Sequence, residues 1–394
     1  MESKKVCDGV FWVGALDWDR RLFDSLIPLP DGTSYNAYLV KGSDKTALID
    51  TVDPSKTSEL MARLAGVERI DYIISQHSEQ DHSGAIPAVL ARFKDAKVVT
   101  NSKGKEMLAA HLGIDPAAIM VVNDGETLSL GDKTIEFIST PWVHWPETMS
   151  CYIREDQVLF TCDLFGAHLA SSSVFVEDDH ETCLAAKRYY AEVMMPFRSA
   201  IKKHLERFSR YEISVVAPSH GPVHPIEHVG CVMDFHRQWV SDKVSNTVVI
   251  PYASMHGSTE MMVSHLAEML SNGGVRVERY NLAVTDTGRL LMAMVDAATV
   301  VFGTPTVLTG AHPMVASAAF VINALKPKAI FASVIGSYGW GGKSVEQITS
   351  MISGLKAEML EPVVIKGRPT QADFGRVEVL AGLIISKHRE AGLF

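Results

Sequence analysis

From Thr247 onward the chain alternates strictly between short apolar, β-rich runs and amphipathic stretches. TVVIPYA, VRVERYNL, ATVVFGT, KAIFASVIG and EPVVIKG read as strands. STEMMVSHLAEMLSN, TGRLLMAMVDA, PMVASAAFVINALK, SVEQITSMISGL and DFGRVEVLAGLIISKHRE read as helices. A helix after every strand returns the chain to the same end of the sheet, so the strands run parallel. Residues 246–394 are therefore expected to form an α/β domain with a doubly wound, five-stranded parallel sheet. Sheets of this kind bind ligands beyond the carboxyl ends of their strands.

Residues 1–245 follow another rule: many short strands mixed with helices. YNAYLV and KTALIDTV, separated by the turn-rich KGSD, read as a hairpin. PSKTSELMARLAG reads as a helix, and so does the whole of LAAKRYYAEVMMPFRSAIKKHLERF. Four segments share one design, an apolar run followed by a metal-capable residue. They are IDYIISQH, ending in His77; IEFISTPWVH, ending in His144; QVLFTCD, ending in Asp163; and ISVVAPSH, ending in His220. Strand ends are rigid and the loops they feed are free to vary, so chemistry collects there.

The first of these continues as SQHSEQDHSG, which adds Glu79, Asp81 and His82 to His77. A lone histidine after a strand is usually a satisfied or solvent-facing one. A clustered H-x-E-x-D-H joined by three further strand-end ligands is costly unless a cation neutralises it. Histidine-rich sites suit zinc, and carboxylate-rich mixed sites suit iron or manganese. Ligand type alone leaves iron and zinc both open.

Bulk composition narrows the function classes. A chain of 394 residues exceeds one ordinary core. A net charge of -9 argues against nucleic acid as a partner. None of the five cysteines, Cys7, Cys151, Cys162, Cys183 and Cys231, forms a C-x-x-C pair. That removes rubredoxin-type and iron–sulfur sites, and the wide spacing points to a reducing, cytoplasmic setting. The start of the chain lacks a signal-peptide pattern, and no apolar run is long enough for a membrane span.

The second half supplies a cofactor. Ser254, Met255, His256, Gly257, Ser258 and Thr259 follow a strand and open a helix. Backbone amides and hydroxyls at a helix N-terminus suit a phosphate. This stretch resembles the phosphate loop of flavodoxins, with His256 in place of the usual threonine. Two further loops follow neighbouring strands: one with Pro305, Thr306, Val307 and Leu308, the other with Gly336, Ser337, Tyr338, Gly339, Trp340, Gly341 and Gly342. Glycines let backbone approach a flat ring, and Tyr338 or Trp340 can stack on it. The set implies FMN. Without G-x-G-x-x-G, a dinucleotide is disfavoured.

Taken together, these motifs resemble two families joined in one chain. Hydrolases of the metallo-β-lactamase superfamily carry H-x-H-x-D-H, then single His, Asp and His ligands in the same order. This chain has Glu79 at the second histidine. With HWPETM, CDLFG, SHGP and the flavin loops, it closely resembles the flavodiiron proteins. The resemblance implies a metallo-β-lactamase-like αββα sandwich over 1–245 and a flavodoxin-like domain over 246–394. It implies a diiron site in which His77, Glu79 and His144 hold one iron, Asp81 and His220 the other, and Asp163 bridges them. His82 is expected to point away, in the second shell, with Tyr189 near the irons. Asp24 stands where many members have a histidine, and His168 is a weaker candidate of the same kind.

Zinc has no redox chemistry, so a flavin domain gives iron a reason to be present. The implied activity is reduction of dioxygen to water, nitric oxide to nitrous oxide, or both. Because the chain stops soon after its last helix, it resembles the minimal two-domain class. Its electrons would then come from a separate donor, rubredoxin or else a deazaflavin. A head-to-tail homodimer, or a dimer of dimers, is also implied. The alternatives are a zinc hydrolase with a flavodoxin-like accessory domain and an electron carrier with a vestigial metal site.

Overall fold

The strand alternation Tyr38–Lys41 and Thr46–Ile49 explains the first layers of the structure, a computed structural model that describes residues 2–394. The two strands pair antiparallel, as a hairpin should. Tyr38, Val40, Ala47 and Ile49 face one core, while Leu39 and Leu48 face another. Ile73 and Ile74 divide the same way, as do Val98 and Val99. Successive side chains on a strand point to opposite faces, so a sheet buried on both sides needs apolar residues at every position.

That sheet has seven strands, and a six-stranded sheet faces it. The layer between them contains Val40, Ile49 and Val99 from one and Ile135, Phe137, Cys151 and Phe160 from the other. Beyond the first sheet, Leu60, Ile86, Val89 and Leu108 cover it from helices. Helix Arg198–Phe208 buries Ile201, Leu205 and Phe208, one helical stripe. Helix Ile226–Val240, which touches the six-stranded sheet, buries Val229, Val232, Met233 and His236 in the same manner. Helix, sheet, sheet and helix are thus the layers of this unit, which comprises the residues up to Tyr189 with Phe197–Val240.

The stretch read as one long helix is broken. Helix Asp179–Tyr189 gives way to a π-helical turn, Tyr190–Met194, and a 3-10 turn, Met195–Phe197, before Arg198–Phe208 begins. Pro196 sits in the 3-10 turn, where its missing N–H and its ring, which crowds the preceding turn, keep the helix from continuing. The early helix is also shorter, Thr57–Arg63 after a 3-10 turn at Pro54–Lys56.

The second unit comprises Tyr190–Pro196 with Ser241–Phe394. Its five main strands are Ser245–Tyr252, Arg276–Asn281, Ala297–Val307, Phe331–Tyr338 and Val363–Lys366. They pair in parallel in the chain order second, first, third, fourth, fifth, with the short strand Glu358–Met359 also on the fourth. Helices Ser258–Asn272 and Gln371–Glu390 cover one face, where Val248, Ile250, Val301 and Ile335 are buried. Helices Thr287–Met294, Pro313–Leu325 and Ser344–Met351 touch the strands as well. Near-continuous burial along Ala297–Val307 is what a sheet covered on both faces requires. Among the described residues, no helix is long and apolar enough to cross a membrane.

Candidate metal centre

Both sheets of the first unit send loops to one point. Strand Tyr72–Ile74 of the seven-stranded sheet leads to His77. Strands Val158–Cys162 and Val215–Pro218 of the six-stranded sheet lead to Asp163 and His220. His144 arrives differently from the sequence expectation. Its strand, Thr134–Ser139, ends early, and His144 lies in the loop before the antiparallel strand Met149–Ile153. Glu79 caps the single turn Gln80–Ser83, which carries Asp81 and His82.

Asp163 divides these side chains. Its Oδ2 lies 3.7 Å from His77 Nε2 and 3.7 Å from His144 Nε2. Both imidazoles stand 3.1 Å from Glu79 Oε2. Its Oδ1 lies 3.4 Å from His220 Nε2 and 3.1 Å from His82 Nε2. Those two rings stand 3.2 Å and 3.3 Å from the Asp81 oxygens. Two ligand sets therefore share one buried carboxylate, one set on each oxygen.

His82, expected in the second shell, has its ring facing inward beside Asp81 and His220, and the ligand atoms of the three all lie within 4.8 Å of one another. The cause is local: the Thr51 amide and hydroxyl both donate to the His82 carbonyl, at 2.7 and 2.6 Å, and fix the turn. Asp50 and Cys162 form a further cluster with the same ring.

These residues fit a pair of cations. Both oxygens of Asp81 and both of Asp163 are buried and accept no hydrogen bond. The nitrogens around them are close but off hydrogen-bonding geometry, so these donor atoms converge on space rather than on one another. Buried carboxylates left in that state cost several kcal/mol each unless a cation meets them.

Outer partners aim the rings. His77 Nδ1 meets Glu147 Oε1 at 2.7 Å, and the Ser78 amide donates to the same oxygen at 2.9 Å. The Asn101 amide group donates to the Glu147 carbonyl. His220 Nδ1 donates to the Ser34 carbonyl at 2.7 Å, leaving Nε2 to face the centre. Asp50 accepts from the Gln76 amide at 2.8 Å and from the Ser219 hydroxyl at 3.3 Å, holding two ligand loops at once. Such partners fix ring orientation and tautomer. Reading the sequence missed Glu147, Asp50 and Ser34. Asp50 ends an apolar strand run just as the ligands do, so the same signal could have found it. Ser34 holds His220 through its carbonyl and accepts the Gly221 amide at its hydroxyl, at 2.7 Å, and carries no sequence signal.

The electrostatics are those of a centre awaiting positive charge. Burial opposes ionisation of Asp163, but His82 and His77 overcome it and hold the carboxyl well below its usual range. Burial raises and His144 and His77 lower Glu79, with a net fall. Burial lowers His82, yet Asp81 and Asp163 lift it to about 10. Glu147 and Glu79 likewise lift His77 well above its ordinary value against burial. The carboxylates thus favour protonated His77 and His82 in the metal-free protein.

Beside the Asp81, His82 and His220 set lie Tyr189 and His168. The Tyr189 ring is 5.7 Å from His220 and 4.7 Å from His168. His168 Nδ1 meets the Thr33 hydroxyl at 2.9 Å, while its buried Nε2 has no partner. Asp24 sits in a hairpin turn with φ of 49°. Its side chain is solvent-exposed, but partial burial and then Glu79 and Asp81 raise its carboxyl, so it lies within electrostatic reach of the centre.

In the second unit the flavin loops hang from adjacent strands. Ser254, Met255, His256 and Gly257 precede helix Ser258–Asn272, and the Glu260 amide donates to the Ser254 hydroxyl at 3.3 Å. The buried Thr259 hydroxyl lies 3.2 Å from that of Ser337, tying the first loop to the third. Pro305, Thr306 and Val307 are not loop residues: the strand runs through Val307, turns at Leu308 and Thr309, and returns as Gly310–Ala311. Gly336, Ser337 and Tyr338 also end a strand, so only Gly339 to Gly342 form the loop proper. Trp340 is exposed, as a ring awaiting a flat partner would be.

Comparison with known proteins agrees with both halves. Residues 33–221 match the ODP family beta lactamase model, and residues 250–377 match the flavodoxin model. The chain is 33% identical to the rubredoxin-oxygen oxidoreductase of Megalodesulfovibrio gigas, covering 98% of each protein. It is 33% identical to the nitric oxide reductase of Moorella thermoacetica, covering 90% of each. The solved structure of the rubredoxin oxygen:oxidoreductase from Desulfovibrio gigas superposes with a TM-score of 0.95 at 32% identity, over 98% of this chain and 99% of that one. The flavodiiron protein from Giardia intestinalis gives 0.90 at 26% identity, over 98% of both chains. With two matching domains in the same order and relatives along its whole length, the chain belongs to the flavodiiron protein family.

Proposed function

We propose that this protein is an FMN- and diiron-dependent oxidoreductase that reduces dioxygen to water, nitric oxide to nitrous oxide, or both. The observation that carries the reading is the division of Asp163, whose two unpartnered oxygens each face a separate ligand set. His77, Glu79 and His144 would hold one iron and Asp81, His82 and His220 the other, with Asp163 between them. A zinc hydrolase has no use for electrons, and the flavodoxin domain supplies them. Bound there, the two irons and FMN would supply the electron-transfer chemistry that reduction of either gas requires.

The chain's own groups manage protons, which both reductions consume. Tyr189 is held protonated by burial and then by Asp163, with its phenol raised well above the ordinary value. Asp24 is raised as well. Tyr189 can hold a proton beside the centre. His168 is kept neutral by burial and then by His220, so its unpartnered Nε2 is suited to hydrogen-bond a group at the centre rather than to take up a proton. In the second unit, backbone amides at the start of helix Ser258–Asn272, with Ser254 and Thr259, would hold the FMN phosphate, and the strand ends and turns at 305–308 and 336–342 would surround the ring.

Electrons come from an external donor. Rubredoxin is the favoured one, since the similar proteins include a rubredoxin-oxygen oxidoreductase. A deazaflavin is the second choice, since they also include coenzyme F420H(2) oxidases. A head-to-tail homodimer is supported by exposed apolar side chains beside each site: Trp18, Leu22 and Trp142 in the first unit, Met255, Leu308 and Trp340 in the second. The free cysteines fit a cytoplasmic setting. The test is consumption of dioxygen and of nitric oxide by the reduced, iron- and FMN-loaded protein, measured side by side. Turnover of at least one gas is expected. Hydrolytic activity without gas turnover would overturn the reading.

A further inference from the structure

Away from the metal centre, two packed helices of the first unit carry a second set of metal-capable side chains. Helix Asp179–Tyr189 presents Asp179 and Cys183, and helix Ile226–Val240 presents His228 and Cys231. Spacings of four and three residues put each pair on one helical face. All four line the same recess, whose volume is about 20 Å³. A space of that size admits roughly one water molecule or one ion.

Two of the polar side chains in the recess already engage each other. His228 Nδ1 stands 2.5 Å from Asp179 Oδ1. Burial, and then Cys231, push the Cys183 thiol up to about 11, while burial, Asp179 and Asp234 raise Cys231. Thiols held protonated are poor partners in disulfide exchange, because the thiolate is the attacking species. A cation between them takes the place of their protons.

We propose that Cys183, Cys231, His228 and Asp179 form a binding site for a single thiophilic divalent cation of the zinc type, separate from the iron pair. Two sulfurs, an imidazole and a carboxylate make a closed set of the kind that holds structural zinc. Uptake of the ion releases both thiol protons to solvent, and no electrons move. Among the described residues, the ligand atoms of these four do not already lie within 4.8 Å of one another, so closing the site requires side-chain rotation, for which Cys231 and Asp179 are solvent-exposed enough. The bound ion would staple helix Ile226–Val240 to the helix that ends in Tyr189.

The test uses full-length protein loaded with iron and FMN and then equilibrated with zinc. The expected result is uptake of about one zinc per chain beyond the metal already present, lost in the double variant C183S/C231S and in H228A. Iron content stays unchanged in all three. Equal zinc uptake by the double variant would overturn the proposal. A second measurement needs no variant: alkylation of Cys183 and Cys231 in the wild-type protein, with and without zinc. Zinc is expected to slow both reactions by about tenfold or more, because alkylation needs a free thiolate. Unchanged alkylation rates would contradict the site. So would a Cys183–Cys231 disulfide that forms in air while the reduced protein takes up no zinc.

Discussion

At the scale of single residues, the centre is organised by carboxylates that hold histidines and histidines that hold carboxylates. Glu147 aims His77 without facing the shared point, and its loss should act through orientation. Glu147→Gln is expected to weaken metal retention by roughly 10- to 100-fold, the usual effect of losing an outer partner. Metal analysis after dialysis against a chelator checks this. His82→Ala is expected to lower metal content in the Asp81 and His220 set, because its Nε2 stands 3.1 Å from Asp163 Oδ1. Unchanged metal content in that variant would restore the view that the ring is an onlooker.

Proton linkage gives a further residue-scale prediction. His82 is raised in the folded, metal-free protein from 6.5 to about 10. Its protonation therefore stabilises that form fully below about 6.5 and is lost as pH rises through about 10. Asp163 is depressed, so its contribution is present above its ordinary value and lost only in strong acid. Thermal melts of the metal-free protein should fall between pH ~7 and ~10, and iron loading should remove that slope by displacing the protons. The ligand types were legible in the sequence because each follows an apolar run. The inward turn of His82 was not, because it depends on Thr51, a residue of another strand end.

At the scale of elements, strand ends do the positioning, and backbone contacts fix them. The first unit's hairpin and the second unit's alternation were readable because period and turn chemistry agree there. The break after Tyr189 was not, since a helical pattern runs on through Pro196 and the π-helical turn has no local signature. The strand extension through Val307 was missed because Pro305 and Thr306 look like loop residues, yet Pro305 stands in register with Ser337. A methyl on Gly336 would meet the Thr304 carbonyl oxygen at 2.2 Å. Gly336→Ala is therefore expected to push these strands apart, lower FMN content and reduce the melting temperature. Flavin absorbance per chain and a thermal scan measure both, and a variant with full flavin would show that the strand ends tolerate the shift.

At the scale of the whole molecule, one unit offers a site for two metals and the other a site for a flavin, and their joining defines the chemistry. Fold and reaction type were legible because both units carry motifs tied to strand ends. Choice between the two gases was not, because it rests on groups such as Asp24, Tyr189 and His168, whose meaning depends on what they face. The central claim is that Asp163 couples two irons in one centre. Mössbauer spectroscopy of the iron-loaded protein, with iron and FMN measured per chain, tests it most directly. The account predicts two irons per FMN, magnetically coupled in the wild type and uncoupled or lost in Asp163→Ala. Isolated irons in the wild type, or zinc in their place, would contradict it.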